Sequence, residues 1–153
     1  MRFETVERRD FPEIIEIIRS EFPGSALDSP FLEKRFLEEN VFLMKLCKKN
    51  RILGFADVEI FDGETARIAV LVVRKDSRDK GVGKTLLSEV TGFLKERGIE
   101  RVSVLIRQGN ERAKRLYSSQ GFRFVALYQA KESGEAVEEM ELEFGGEKPS
   151  YVS

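Results

Sequence analysis

The sequence predicts a single α/β domain on a mixed sheet, antiparallel at its start and parallel in its middle. Three strand-like runs, Val41 to Cys47, Ile52 to Phe61 and Glu64 to Val73, follow in close order, as in an antiparallel meander. A glycine loop, a helix and a further apolar run, Val102 to Ile106, come next. Strand, helix and strand form a crossover unit, so this second strand pair is predicted to be parallel. A chain of 153 residues, 41% of them hydrophobic, is expected to build one core.

The first 40 residues predict one strand and two helices. Residues 2–7 have the pattern of a short strand. Asp10 with Glu13 three positions later has the spacing of a capping box, which predicts the start of a helix. Ser29 followed by Pro30 predicts a second N-cap and a helix through about residue 39. The apolar positions of the first helix fall on one face: Phe11, Ile14, Ile15, Ile18 and Phe22.

The middle of the chain predicts a central strand and its helix. Asp62 and Gly63 between two apolar runs predict a hairpin turn. The continuous apolar run from Ile68 to Val73 predicts a strand covered on both faces. The helix after the glycine loop is expected to end at Gly98. Its apolar stripe is Leu86, Leu87, Val90, Phe93 and Leu94.

The last part predicts a short helix and two strands. Asn110 is expected to begin the helix and Gly121 to close it, with strands at 122–129 and 137–144. In the last strand, apolar residues alternate with Glu139, Glu141 and Glu143, which predicts that one face of the strand is solvated. We interpret these glutamates as charges on an edge strand of the sheet. Residues 1–145 are predicted to form the single domain, and residues 146–153 a loose tail.

Composition excludes several classes of function. The 26 Lys and Arg residues nearly cancel the 27 Asp and Glu residues, so we expect neither a nucleic-acid nor a membrane partner. The single cysteine forms no internal disulfide, and the first residues lack a secretory signal, so a cytoplasmic location is expected. Without histidine, a Ser-His-Asp triad and most zinc hydrolases are excluded, and no metal is expected.

The segment RDKGVGKT, residues 78–85, ends like the phosphate loop of an ATPase. A nucleotide P-loop requires a glycine at the position of Arg78, and a dinucleotide loop requires one at Leu86. What remains is a strand, the pattern Arg78-x-x-Gly81-x-Gly83 and a helix. Such a loop either brings several N–H groups to an anion or is a plain tight turn, and its own residues leave both interpretations open.

A second motif lies downstream, Asn110-x-x-Ala113-x-x-Leu116-Tyr117 followed by Gly121 and Phe122. Together with the glycine loop, in this order and on these elements, it resembles the GNAT acyltransferase superfamily. These enzymes move an acetyl group from acetyl-CoA to an amine. The resemblance covers nearly the whole chain. It implies a central, mostly antiparallel sheet with a splayed parallel pair, and about four helices. Lys75 and Asp79 depart from the commonest pattern, which has proline and glycine there.

The resemblance implies a set of donor contacts. The pantetheine arm of acetyl-CoA would pair with the backbone of the strand before the loop, and the diphosphate with the backbone of the loop. Asn110, which is also a natural N-cap, would contact CoA, and Tyr117 would be the general acid toward the CoA sulfur. The implied donor-binding residues of strand and loop are Leu71, Val72, Val73, Arg78, Asp79, Lys80, Gly81, Val82, Gly83 and Lys84.

The general base is the open point of the predicted site. An ammonium group with a pKa of about 10.4 must lose a proton before it attacks, so a carboxylate or a water relay is expected. Glu64 is the first candidate, with Glu59 and Asp57 behind it, and a water relay is an equal alternative. Cys47 offers a covalent acyl-enzyme route, but direct attack in a ternary complex is favoured because no histidine can activate the thiol.

Three functions are therefore weighed. The first is an acetyl-CoA-dependent N-acetyltransferase acting on a primary amine. Its acceptor is a protein N-terminus, a lysine side chain or a small amine such as a polyamine or an amino sugar. The acidic side chains of the last strand offer one possible surface for a cationic acceptor. The alternatives are a P-loop-like nucleotide-binding protein and a CoA-binding regulator without turnover. A homodimer is expected because sheet edges need cover.

Overall fold

The fold is described by a computed structural model over residues 1–131 and 133–145. The predicted mixed α/β architecture is confirmed: seven strands form one sheet in the order β1-β2-β3-β4-β5-β7-β6, with four α-helices in the described part of the chain. The strands are β1 (Arg2–Thr5), β2 (Val41–Lys48), β3 (Arg51–Ile60), β4 (Thr65–Val73), β5 (Arg101–Arg107), β6 (Arg123–Gln129) and β7 (Ala136–Glu143). The helices are α1 (Phe11–Glu21), α2 (Ser29–Leu37), α3 (Val82–Glu96) and α4 (Glu111–Ser119). The predicted tail, 146–153, lies outside the described residues.

Two apolar clusters cover the two faces of the sheet. Helix α3 packs one face with Leu86, Leu87 and Val90, which are fully buried against β3, β4 and β5. Helices α1 and α2 pack the other face, over β2 and β3 and the end of β4. Since these two helices stop short of β5, β7 and β6, the second face is open at that side of the sheet. No helix in the described residues is long and apolar enough to cross a membrane.

Strand β4 lies at the centre of the sheet, as predicted, and it pairs antiparallel with β3 through the Asp62-Gly63 hairpin. The expectation that its apolar end is covered on both faces is wrong. Ala69 is exposed, and Val70, Leu71 and Val73 are only partly buried. The reason is that β4 loses its neighbour β5 at this point, which leaves one edge of the strand open.

One predicted N-cap is in place and the other is shifted by one residue. Asp10 is the N-cap residue of α1, as predicted, but its side chain makes no cap hydrogen bond, because its carboxylate accepts from the backbone N–H of Glu7 and from Nζ of Lys45. Asp28, not Ser29, caps α2 by accepting from the N–H of Phe31 at 3.0 Å. Each helix thus begins directly after an aspartate, but only Asp28 caps its helix through the side chain.

The interpretation of the last strand as a charged edge is also wrong. Strand β7 lies between β5 and β6, so its glutamates stand on an internal strand, and β6 forms the edge. Glu139 accepts a hydrogen bond from the hydroxyl of Tyr128 at 2.9 Å. On the opposite face, Glu138 pairs with Nζ of Lys114 at 2.9 Å. These carboxylates therefore join neighbouring elements.

Candidate active site

The parallel strands β4 and β5 separate halfway along their length. Their pairing runs only from Thr65 with Arg101 to Ile68 with Val104, although β4 continues to Val73 and β5 to Arg107. A register shift of β4 against β3 at the same height leaves Ala69 as the extra residue of a bulge. Beyond Ile68 the strand pairs with β3 on one side only, so the peptide groups of its last residues are available to a ligand on the other side. The predicted splayed pair is confirmed.

The glycine loop joins the open end of β4 to α3. Gly81 precedes the first residue of the helix with φ of 80°, a conformation that suits glycine. The first amides of an α-helix have no partner within it, and the helix dipole places partial positive charge there. Gly83 in the first turn carries no side chain to fill the space in front of these amides. This loop is therefore able to hold an anion at the start of α3.

A cleft of about 660 Å³ lies over the splay and the loop. It brings together ten of the twelve donor-binding residues that the resemblance implies: Leu71, Val72, Val73, Arg78, Asp79, Gly81, Gly83, Lys84, Asn110 and Tyr117. The other two do not line it. Lys80 points into solvent, and the side chain of Val82 is buried in the core beneath α3. Only their backbone groups remain available to a ligand.

Tyr117 lies on α4 at the inner wall of the cleft and is 4% exposed. Its ring meets the edge of Phe122 with the centroids 5.0 Å apart. Burial raises the pKa of the Tyr117 hydroxyl above its usual value, so the phenol stays protonated at neutral pH. A protonated hydroxyl on the wall of the cleft is in the state that a general acid requires.

Asn110 is the N-cap of α4, as predicted. Its side-chain oxygen accepts from the N–H of Ala113 at 3.2 Å, and the residue also lines the cleft. The cap fixes the start of α4 and so the direction in which this helix presents Tyr117. The side-chain NH₂ of Asn110 stays available as a donor toward the cleft.

The structure does not bring Glu64 into the cleft. Glu64 precedes the first residue of β4, whereas the cleft lies at the last residues, and its exposed side chain is seven positions from Leu71. Seven strand residues span roughly 23 Å. A carboxylate at this distance cannot take a proton from an amine at the splay, so Glu64 is not placed to act as the base.

The other two candidate bases are held by one arginine. Arg35 of α2 donates from Nε and Nη2 to both oxygens of Asp57, at 2.9 and 2.6 Å, and from Nη1 to Glu59 at 2.9 Å. Asp57 is fully buried. Its two hydrogen bonds from a cation make it a structural anchor between α2 and β3 instead of a free proton acceptor.

Cys47 does not lie in the cleft either. It is 5% exposed on β2, and burial raises the pKa of its thiol, although the neighbouring Lys45 works against this shift. A thiol that stays protonated and has no access to the thioester is not an acyl acceptor. Its placement favours direct attack.

Several cleft residues were missed by sequence reasoning. On α4, Arg112, Arg115, Leu116 and Ser119 also line the cleft. Their spacing on one helical face beside Tyr117 is a signal that was available. Glu21 and Phe22, at the end of α1, line the cleft from the other side. No local pattern marks them, because only the tertiary fold brings the end of α1 to the glycine loop.

A second cavity, of about 300 Å³, opens on the opposite face of the sheet. Its walls are Arg67, Leu105, Tyr128, Ala130 and Val137. Leu105 follows Val104, the last residue of β5 that pairs with β4, and Val104 faces the core under α3. Because successive strand residues face opposite sides, Leu105 faces away from α3. The second cavity thus lies on the face of the sheet away from α3, beside the point where β4 and β5 separate.

A mixed sheet with this gap, a glycine loop at the start of a helix and a protonated tyrosine over the gap together define an acyl-CoA-type transferase site. The sequence matches the Acetyltransferase (GNAT) family over residues 11–122. The chain therefore belongs to this family, and the predicted class, an acetyl-CoA-dependent N-acetyltransferase, is confirmed at the level of the family. The P-loop interpretation is thereby wrong, as Arg78 in place of the first glycine indicated.

Three proteins are similar to this chain in sequence or in fold. The mycothiol acetyltransferase of Beutenbergia cavernae is 32% identical over 71 residues, which are 46% of this chain but only 24% of that protein. The ribosomal-protein-S18-alanine N-acetyltransferase of Escherichia coli has a TM-score of 0.83 at 20% identity, with 97% of each chain covered. The yncA protein of Salmonella typhimurium, described with its cofactor acetyl-CoA, has a TM-score of 0.76 at 20% identity, with 95% of each chain covered. The two structures share the fold with this chain.

Proposed function

We propose that this protein transfers the acetyl group of acetyl-CoA to a primary amine, by direct attack of the amine in a ternary complex. The observation that carries the proposal is the gap between β4 and β5, over which the cationic cleft lies. An amine that enters by way of the second cavity would meet the donor at this gap. No residue of the chain has to carry the acetyl group between them.

The donor fits the first cleft in both charge and shape. Its diphosphate would lie on the loop amides from Arg78 to Lys84, with the guanidinium groups of Arg112 and Arg115 nearby. The pantetheine arm would pair with the open backbone edge of Leu71 to Val73. The structurally similar yncA protein of Salmonella typhimurium, described with its cofactor acetyl-CoA, supports this assignment of the donor.

Two groups of the chain would serve the chemical step. An N–H of the open strand near Val73 would stabilise the negative charge that develops on the thioester oxygen. Tyr117 would give its proton to the departing sulfur. The phenol is a weak acid with a raised pKa, so the transfer requires that the thiolate also lies out of water in the cleft.

A water relay would take the proton of the ammonium group. The two carboxylates that line the donor cleft, Glu21 and Asp79, are paired with Arg78 and Arg112. Neither is therefore a free acceptor in the protein without its donor. Glu139, bonded to Tyr128 at the second cavity, offers the incoming ammonium a negative charge on its path.

The experiment that tests this function measures thiol release from acetyl-CoA with a panel of amines: peptides with free N-termini, a lysine peptide with a blocked N-terminus, polyamines and amino sugars. We expect turnover with one class. Tyr117→Phe is expected to lower turnover roughly a hundredfold and to change acetyl-CoA affinity little, since the hydroxyl acts on the leaving sulfur. An unchanged rate would remove Tyr117 as the acid.

Two outcomes separate this function from its alternatives. Cys47→Ala is the matched control for direct attack and is expected to keep its turnover, because the thiol is buried away from the cleft. A folded Cys47→Ala variant without activity would instead indicate an acyl-enzyme. Saturable acetyl-CoA binding with no thiol release from any amine would identify a CoA-binding regulator.

We also propose a homodimer across β6. This edge strand exposes four large apolar side chains and carries one charge, Arg123, at its start. The other edge, β1, is four residues long and carries Arg2 and Glu4, which protect it from pairing. A two-fold axis at Ala126 would oppose apolar to apolar side chains, with Arg123 beside the partner's Gln129. The interface would form by side-chain packing, because a bulge at Val125 interrupts the regular edge.

A further inference from the structure

Helix α1 is held by ion pairs near both ends to the segment between β4 and α3. Near its start, Glu13 binds Nη2 of Arg74 at 2.7 Å and accepts from the N–H of Ile52 at 2.8 Å. At its end, Glu21 pairs with Arg78. Positions eight apart on a helix lie on one face, about 12 Å from each other. One face of α1 thus carries two carboxylates that reach the two sides of the same connection.

Only the second of these ion pairs lies inside the donor cleft. Glu21 and Arg78 both line it, and so does Phe22, with which the chain leaves α1. The side chains of Arg78 and Glu21 are 20% and 28% exposed, so water screens the pair incompletely. The other pair, formed by Glu13 and Arg74, does not line the cleft.

The surroundings of Arg78 favour an anion beside it. Burial lowers the pKa of the Arg78 guanidinium, and the nearby positive charge of Arg112 lowers it further. Two cations at a loop with free amides repel each other unless negative charge lies between them. In the free protein, the carboxylates of Asp79 and Glu21 supply part of that charge.

We propose that Glu21 is a latch that occupies Arg78 until the diphosphate of the donor replaces it. This inference rests on the proposed function, which places the diphosphate on the same loop. When the donor binds, Arg78 exchanges the single carboxylate of Glu21 for the diphosphate. The last turn of α1 and residues 22–28 are then released from the loop.

Charge decides the direction of the exchange. A diphosphate carries more negative charge than one carboxylate and also accepts from the loop amides, so it is the stronger partner for a guanidinium. The displaced carboxylate of Glu21 would then face the diphosphate and is repelled by it. Few hydrogen bonds hold the turn: the N–H of Phe22 donates to Ile18, that of Ser25 to Phe22 and that of Leu27 to the hydroxyl of Ser25. Phe22 and Leu27 also pack against the second apolar cluster, so segment 22–28 is expected to rearrange between these two anchors once the latch opens.

Calorimetry with CoA gives the first test. Glu21→Gln is expected to bind CoA about fivefold tighter than the original chain, because the donor no longer competes with a carboxylate for Arg78. Glu13→Gln is the matched control: it removes the charge of the other ion pair on the same helix and is expected to leave CoA affinity within about twofold. Weaker binding by Glu21→Gln would mean that Glu21 orients Arg78 for the donor, which overturns the latch.

Hydrogen exchange of residues 18–28 gives the second test. Addition of CoA is expected to raise deuterium uptake there, and in Glu21→Gln the uptake should be high before CoA is added. Glu13→Gln is the matched control here as well, since it removes a carboxylate from the same helix outside the cleft. Its uptake in residues 18–28 is expected to respond to CoA as in the original chain. The proposal is overturned if CoA does not change the deuterium uptake of residues 18–28, or if this uptake is the same in Glu21→Gln and in the original chain.

The two proposals fail in different ways. If the original chain binds no CoA in calorimetry, the proposed function is wrong, and so is the latch, which depends on it. If the original chain binds CoA and acetylates an amine while Glu21→Gln behaves like it in both tests, the latch alone is wrong.

Discussion

At the scale of single residues, Asp79 stands in the conformation that the glycine loop normally gives to glycine. Its φ of 61° is in the left-handed region, where a side chain costs free energy, although aspartate tolerates it better than most residues. Its carboxylate lies 3.6 Å from Nη2 of Arg112, and both residues line the donor cleft. The residue therefore combines a backbone cost with a negative charge beside the expected diphosphate.

Three substitutions at Asp79 separate these two effects. Asp79→Asn and Asp79→Gly remove the charge and are each expected to tighten CoA binding about threefold, as measured by calorimetry. Asp79→Ala removes the same charge but keeps a Cβ at positive φ. Its free energy of unfolding in urea should therefore lie about 1 kcal/mol below that of Asp79→Gly. Equal stability of the Ala and Gly variants would show that the loop relaxes this conformation.

At the scale of elements, the close contact of α3 with β3 sets the position of the glycine loop. Gly54 on β3 makes this contact possible: a Cβ there would lie 2.9 Å from Cδ2 of Leu86 and 3.1 Å from the carbonyl oxygen of Val72. The first of these atoms belongs to α3 and the second to β4. The start of α3 and the open end of β4 are thus fixed against each other by a strand without a side chain at the crossing.

Gly54→Ala is expected to lower the free energy of unfolding by about 1–3 kcal/mol, because the methyl group must displace a helix or a backbone carbonyl. It should also weaken CoA binding, since α3 carries the loop amides. Gly92→Ala is the matched control on the exposed side of α3, where no atom lies within 4 Å of the added Cβ. There the same substitution should stabilise the chain by about 0.5–1 kcal/mol. Urea unfolding measures both, and a neutral Gly54→Ala would contradict the close contact.

At the scale of the whole molecule, the sequence predicts what depends on neighbours along the chain. Local patterns of this kind are the glycine loop, the Asn110 cap and the hairpin at Asp62. They predict the order of the strands and helices and most of the residues that line the donor cleft. The end of β4 was expected to be covered because an apolar run looks the same beside a neighbour or beside a gap. Only the pairing of β4 with β5, which stops at Ile68, distinguishes the two cases.

The misplaced carboxylates have the same cause. Glu64, Glu59 and Asp57 are candidates because they lie on strands that lead toward the loop. The two ends of an extended strand are far apart, however, so a residue on such a strand need not lie near the loop. The partner of Asp57 is Arg35, 22 residues away. Glu21 reaches Arg78 across 57 positions, which no spacing rule connects. Long-range ion pairs are specified by the packed helices, so the acid–base part of the site is the part that sequence patterns predict least.

The proposed dimer is tested at this same scale, because it concerns the one long edge of the sheet. In the described chain, β6 pairs only with β7, and Leu127 on β6 is 55% exposed. Leu127→Lys would place a charge in each half of the proposed interface, where a two-fold axis brings the two charges close together. We expect sedimentation equilibrium at micromolar concentration to give the original chain a mass of twice the 17.5 kDa of one chain. Leu127→Lys is expected to have the mass of one chain.

Leu37→Lys is the matched control for that experiment. Leu37 is 64% exposed at the end of α2, on the half of the sheet that β6 does not touch, so the added charge there should leave the mass unchanged. Dissociation by both variants would indicate a general effect of charge on association. A single-chain mass for the original sequence across the micromolar range would contradict the dimer directly. The exposed apolar side chains of β6 would then have to be covered by a partner other than a second copy.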